Sequence, residues 1–592
     1  MTNVLIELSD IKEYAVKFSE VAECFSRIEE TSGRVEITKL LADLFKKARP
    51  RDAQIIVNLA MGQLNPPYIA TQFNIAEKSI IVLLAEFLEV TEETVKRHIK
   101  QSGDLGLVVM DYEWRADGGL TVLQVYEELD RIEKISGTGS VDEKAQHIRD
   151  LLGRMTPVEA KYALRIILGK LRLGFSDMTV IDALSWMEAG DKSLRAIIEN
   201  AYNVCVDLGL IAFELKEHGI QAIERMKVHI GIPIRPAAAE RLPTARAIVE
   251  KLGVCVAQPK LDGFRLQIHL DKRTARAKVH FFSRNLIDMS HMFPDLTAAV
   301  ASLDVTDMIC EGEAIVYDPN TNTFLPFQET VKRKRKHGIE EAIESFPLRV
   351  YLFDLLYLNG KEVMSETHEE RRALLLNIGK KINDSRVEVI GEKVIKTAEQ
   401  LEADFNDNIT AGLEGLVVKR PDAIYQPGKR NFNWIKLKRQ EEGHLEDTID
   451  CVILGYYDGA GKRASFGIGA FLVGVYNKAE DCFETIAKIG TGLTDEEWIM
   501  MRKKCDAIAV ANRPKNVVCA NALYPDVWVS PELVCMVRAD EITISPLHAA
   551  GASDKALGYA LRFPRFMGYR IDKSPEEVTT VKEIVSLYKD QF

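Results

Sequence analysis

Lys260-Leu261-Asp262-Gly263-Phe264-Arg265 joins two apolar runs, residues 254–259 and 264–270, that both read as β-strands. A lysine held close to an acid, a glycine and an arginine is what a covalent nucleotide carrier needs. Lysine attacks an α-phosphate only as free amine, and at its ordinary pKa of about 10.4 roughly one in a few thousand is free near neutral pH. The surroundings must therefore lower that pKa, through desolvation and nearby cations. Asp262 is placed to orient the amine or leaving group, Gly263 lets the chain turn tightly, and Arg265 is suited to a ribose or phosphate. A mixed-charge surface turn is the plain alternative, and four matched positions make it the weaker one.

With 592 residues, 46% of them hydrophobic, the chain has length for about three to four domains. It carries neither a basic amino-terminal region leading into an apolar core nor a run of about 18 apolar residues, so the expected location is the cytoplasm. Nine cysteines are scattered without any Cys-x-x-Cys pair, against a zinc ribbon or a disulfide framework. The net charge of −11 argues against uniform nucleic-acid affinity. An acidic exterior is still compatible with one basic groove, and Lys332-Arg333-Lys334-Arg335-Lys336-His337 is a local basic run.

Up to about residue 225 apolar residues recur at spacings of three and four, as in segments 37–45, 53–59 and 180–187, which predicts helices and no strands. The turns Ser136–Ser140 and Gly169–Gly174 suit phosphate through their backbone amides, although local sequence alone favours glycines that merely end helices. A linker with Pro233, Pro236 and Pro243 leads to an alternating region, about 232–440, with further strands expected at 308–317 and 348–358. After Arg439-Gln440-Glu441-Glu442-Gly443 come short strands at 450–457, 470–476, 483–490 and 534–544, as in a small β-barrel, and a closing helix at 575–588.

Several runs follow Lys260 in order: Phe282-Ser283-Arg284-Asn285, Cys310-Glu311-Gly312-Glu313-Ala314, Leu352-Phe353-Asp354-Leu355, Leu413-Glu414-Gly415-Leu416-Val417-Val418-Lys419 and Trp434-Ile435-Lys436-Leu437-Lys438. Together they resemble the motif set of the covalent nucleotidyltransferases, which include DNA ligases, RNA ligases and mRNA capping enzymes. Pro326-Phe327-Gln328, Leu561-Arg562-Phe563-Pro564-Arg565-Phe566, Asp572-Lys573 and the helical first third narrow the resemblance to ATP-dependent DNA ligases of the archaeal and eukaryotic replicative type. It implies a helical DNA-binding domain over 1–228, an α+β adenylation domain over 229–441, and an OB-fold domain with a carboxy-terminal helix over 442–592.

The same resemblance implies the roles. Lys260 would carry AMP as a phosphoramidate; Arg265 and Arg284 would hold ribose and phosphate; Glu313 would accept from ribose hydroxyls or help place a metal. Phe353 would stack on adenine, and Glu414 would be a carboxylate ligand of Mg²⁺. Arg430, Lys436 and Lys438 would surround the α-phosphate, while Arg562, Arg565 and Lys573 would swing over it from the last domain about a hinge at 438–443. The substrates would be ATP and nicked duplex DNA, with a monomer encircling the duplex and a sliding clamp as partner by analogy only. One position departs from the family: Gln258 stands where a glutamate usually accepts from the adenine amino group, and its amide has both an acceptor and a donor to offer. An RNA ligase, a capping guanylyltransferase and a non-catalytic DNA-binding scaffold are the rival readings; the helical first third speaks against the first two and the intact lysine and glutamates against the third.

Overall fold

The computed structural model describes residues 15–591 other than 32, 103, 117, 118, 172, 243, 319–322, 326–328, 331, 334–337, 439–447, 460, 554, 555, 572 and 590. Pro326-Phe327-Gln328, most of the basic run, Asp572 and the expected hinge at 439–443 lie outside the described residues. The chain divides into two compact units, Met1–Leu437 and Lys438–Phe592. In neither is any described helix long and apolar enough to cross a membrane.

The first unit begins with twelve described α-helices from Phe18–Glu30 to Ile220–Glu224, and its first described strand starts only at Ala238. Their apolar stripes share one core: Pro50–Ala60, for example, buries Ala53, Ile55, Ile56, Val57 and Leu59. Helix starts follow local chemistry. Thr156 accepts from the Glu159 amide while the Glu159 side chain accepts from Thr156 in return, opening Pro157–Ile167 with proline in its first turn. Gly169 at φ +64° ends that helix, its amide donating to Ile166 O, so the Gly169–Gly174 turn starts as a helix terminus.

The β-containing part of the first unit is built on two sheets. The strands are β1 Ala238–Arg241, β2 Cys255–Lys260, β3 Phe264–Asp271, β4 Lys278–Ser283, β5 Asp307–Asp318, β6 Thr323–Phe324, β7 Leu348–Leu358, β8 Lys361–Glu362, β9 Val387–Val389, β10 Lys393–Ile395, β11 Gly415–Lys419 and β12 Arg430–Lys438. One sheet runs β1-β12-β11-β2-β10; the other runs β4-β3-β5-β7-β8, with β6 on β5 and β9 on β7. Lys260 ends a strand of the first sheet and Phe264 opens a strand of the second. The motif is therefore the crossing point between the sheets. Gly263 makes the crossing possible, because a β-carbon there would lie 2.3 Å from the Ala314 carbonyl oxygen.

The second unit is β-rich. Ile449–Tyr457, Ala470–Asn477 and Cys482–Ile489 form an antiparallel run, Val534–Arg538 pairs with the first of them, and Arg565–Tyr569 with Val534–Arg538. Three details differ from expectation. The strand expected at 534–544 is two, Val534–Arg538 and Glu541–Ser545, broken at Ala539-Asp540; the closing helix is Val581–Lys589, preceded by a single turn at Pro575–Glu577; and Asp495–Asp506 is a helix. All nine cysteines are buried and free.

Candidate active site

Strand ends bring the motifs together. The Lys260 Nζ contacts the Glu414 carboxylate, and the Glu414 amide donates to the Lys260 carbonyl at 3.1 Å where β11 pairs with β2. Glu313, on β5, accepts from the Gly263 amide at 3.2 Å. Burial pushes the Lys260 amine down, the Glu313 and Asp262 carboxylates push it back up, and Arg284 lowers it. The net shift is downward, as a nucleophilic amine requires. Burial also raises the Glu313 carboxyl to about 7, against the pull of Lys260 and Arg265.

Lys436 identifies the neighbours on the other side. Its ammonium is lowered by burial and then by Arg430, Lys260, Arg284 and Arg241. Four other cations thus act on Lys436, near the carboxylates of Glu414, Glu313 and Asp262 around Lys260, a grouping suited to a polyanion. Lys438 follows two residues on along β12, on the same side by strand alternation. Arg241 was not found from sequence. It belongs here because β1 runs parallel to β12 with Arg241 opposite Lys436, a pairing of residues far apart in the chain.

Arg265 has partners within the protein. Its Nη2 donates to both Glu311 oxygens at 2.9 Å and Nη1 to the Ala237 carbonyl at 2.8 Å. The guanidinium lies 5.6 Å from the Phe353 ring centre and 5.5 Å from that of Trp434. Its half-buried side chain braces Glu311, which lies on the same face of β5 as Glu313, against the two rings. Phe353 is partly exposed and packs edge-on against Trp434, with Lys419 Nζ donating to its carbonyl at 3.0 Å. Gln258 is 2% exposed, two residues before Lys260 on the same face of β2.

The remaining expected cations belong to the second unit, each with a local acid. Arg562 pairs with Glu541 at 2.8 Å, Arg565 with Asp540 at 3.1 Å and Lys573 with Asp450 at 2.6 Å, where Arg570 pairs too. Among the described residues no three His, Cys, Asp or Glu side chains converge as a metal site. One or two carboxylates beside substrate phosphates are what Mg²⁺ ordinarily takes, and Glu414 with Glu313 fits that pattern.

Comparison with known proteins places the chain in a family. Residues 17–185 match the DNA ligase N terminus, 236–438 the ATP dependent DNA ligase domain, and 464–573 the ATP dependent DNA ligase C terminal region. A probable DNA ligase of Dictyoglomus thermophilum is 46% identical over 583 residues, covering 97% of this chain and 98% of that protein. DNA ligase 2 of Thermofilum pendens is 39% identical, over 97% of each chain. The solved structure named Pmar-Lig_PreS3, at 15% identity, shares the fold over 93% of this chain and 99% of its own, with a TM-score of 0.53. Its three matched regions, and full-length relatives well above 30% identity, show that the chain belongs to the ATP-dependent DNA ligase family.

Proposed function

We propose that the protein seals nicks in duplex DNA through AMP carried on Lys260. The observation that carries this reading is the lowered amine of Lys260 among Arg284, Arg430, Lys436 and Arg241, beside Glu414 and Glu313. Three in-line displacements follow. The Lys260 Nζ lone pair forms a bond to the α-phosphorus of ATP as the bond to pyrophosphate breaks. The N–P bond then breaks as a 5′-phosphate oxygen of the nick takes the AMP. Finally the 3′-hydroxyl oxygen attacks that 5′-phosphorus, loses its proton, and releases AMP.

Glu414 holds the Lys260 amine toward the cleft, and Lys436 and Arg284 neutralise charge on the phosphoryl oxygens in flight. Lys438 and Arg430 extend the same cationic lining. Mg²⁺, held by Glu414 with or without Glu313 and by the triphosphate, would supply further neutralisation of the leaving pyrophosphate. Arg265 keeps Glu311, Phe353 and Trp434 in register, so Phe353 is the platform for the base. Arg562, Arg565 and Lys573 exchange their local acids for the β- and γ-phosphates when the second unit assists the first step. The protein works in the cytoplasm as a monomer. Labelled-ATP transfer to the protein, followed by sealing of nicked DNA and nicked RNA duplexes, tests the reading: label on the protein with sealing of DNA is expected, and absence of label, or sealing of RNA alone, overturns it.

A further inference from the structure

Gln258 stands in the cleft where the family resemblance leads one to expect a glutamate, and its surroundings decide which end of its amide faces the base. Its Nε2 lies 2.7 Å from Glu392 Oε2, and the same oxygen lies 2.8 Å from His368 Nε2. Glu392 immediately precedes β10, the strand paired with β2, while His368 opens the helix His368–Gly379. The contact therefore joins residues 134 apart in the sequence.

Three features fix the proton arrangement. His368 is 2% exposed and its Nδ1 is buried without a hydrogen-bond partner, the Asp354 carboxylate lying 4.0 Å away, beyond hydrogen-bonding reach. Burial also lowers its pKa. The ring is neutral with its proton on Nε2, and it donates to Glu392. Burial works against ionisation of Glu392, but the hydrogen bond donated by His368 and the charges of Lys419 and Arg372 hold its pKa down. An ionised carboxylate only accepts. The Gln258 group facing it must then be NH₂, since an amide oxygen there would set two acceptors against each other.

The amide oxygen is thereby turned the other way. Among the described residues no protein group donates to Gln258 Oε1, and it is not sealed from solvent. Lys260 and Gln258 share a face of β2, so a nucleotide with its α-phosphate at Lys260 and its base over Phe353 brings the base edge toward that oxygen. We infer that Glu392, held by His368, orients the Gln258 amide to present Oε1 to the base, selecting purine triphosphates with a 6-amino group over those with a 6-oxo group. A 6-amino group donates to Oε1, whereas a 6-oxo group meets a second acceptor and leaves both unpaired. Glu392 is a positioning residue in this account. A glutamate at 258 would face Glu392 as a like charge, which explains why glutamine stands there.

The inference rests on the cleft being the ATP site, and the test separates the two. Transfer of nucleotide to Lys260 is measured with ATP, inosine triphosphate and purine riboside triphosphate, for the wild type, Glu392→Gln, and the double variant Gln258→Glu/Glu392→Gln. The wild type is expected to favour ATP over inosine triphosphate in kcat/KM by at least about 30-fold, the worth of one buried mispaired polar contact, with the unsubstituted purine in between. Glu392→Gln frees the 258 amide to turn, and the preference falls about tenfold or more. The double variant rebuilds a donor–acceptor pair in the opposite sense and restores the preference. Each ratio is taken within one preparation, so loss of folded protein cancels. A wild type that uses inosine triphosphate as well as ATP, a Glu392→Gln variant with the wild-type ratio, or a double variant that does not restore the lost ratio overturns the inference alone; failure of the wild type to take label from ATP overturns the site reading itself.

Discussion

The buried charges of the helical region and the charges around Lys260 are made of the same residue types and behave oppositely. Arg165, with a side chain only 2% exposed, reaches Asp104 through Nε at 2.9 Å and Glu29 at 2.9 and 3.0 Å, while Lys161 and Tyr162 join at Glu29. Burial would lower the Arg165 pKa, yet the hydrogen bonds and charges of Glu29 and Asp104 raise it. Around Lys260 burial and like charges lower both Lys260 and Lys436. The first cluster is complete in itself and holds helices together. The second gathers cations that lower one another's pKa even with Glu414 on Lys260, and on that ground we propose it as the working site.

The largest effect expected is from Lys260→Arg: a guanidinium stays protonated, so label transfer and sealing of nicks from ATP should both fall below detection. Retained transfer would break the assignment of the nucleophile. Arg165→Met should leave Asp104 without its cation and Glu29 with only Lys161 and Tyr162, and cost about 3–5 kcal/mol in chemical denaturation, as for other severed buried pairs. A change below 1 kcal/mol would contradict the claim that this cluster is structural. The pH dependence sharpens the same point. Burial pushes the Glu29 carboxyl up, but its bonds from Arg165, Lys161 and Tyr162 bring it down to about 2 from 4.5. Its stabilisation is therefore full above the unfolded value and lost as pH falls through the folded one, so the deficit of Glu29→Gln relative to the wild type should be constant near neutrality and vanish by about pH 2.

Lys436→Ala should slow label transfer by roughly 100-fold, a typical worth for one transition-state charge contact, without loss of stability, because removing one of several facing cations relieves repulsion. Destabilisation comparable to Arg165→Met would erase the contrast. The smallest effect expected is for Lys573→Ala, about tenfold on label transfer with little on sealing of pre-adenylated nicks. Asp450 keeps Arg570 as partner, so the local fold should hold. A variant that labels normally but cannot seal pre-adenylated nicks would refute this division.

Much of this contrast is legible in sequence, and the rest fails for physical reasons. Strand alternation places Lys260, Arg265 and Glu313 on β2, β3 and β5, and Leu348–Leu358 is found to the residue. The helix Asp495–Asp506 escapes because only Trp498, Met501 and Cys505 turn inward, too sparse a stripe to read among charged neighbours. The break at Ala539-Asp540 escapes because apolar alternation resumes beyond it. Within the site, Arg241, Glu311 and Glu392 escape because their roles arise from strand register and from a contact made across the fold. The Glu311 partner of Arg265 escapes for the same reason: no local rule says that these two will pair.

The central claim is that Lys260 is the residue that carries AMP. Incubating the protein with α-labelled ATP, quenching, and mapping the modified peptide tests it most directly. The account predicts one AMP per protein, bound through an acid-labile phosphorus–nitrogen bond at Lys260 and released on addition of nicked DNA; AMP on any other residue, or a labelled protein that nicked DNA does not discharge, would contradict it.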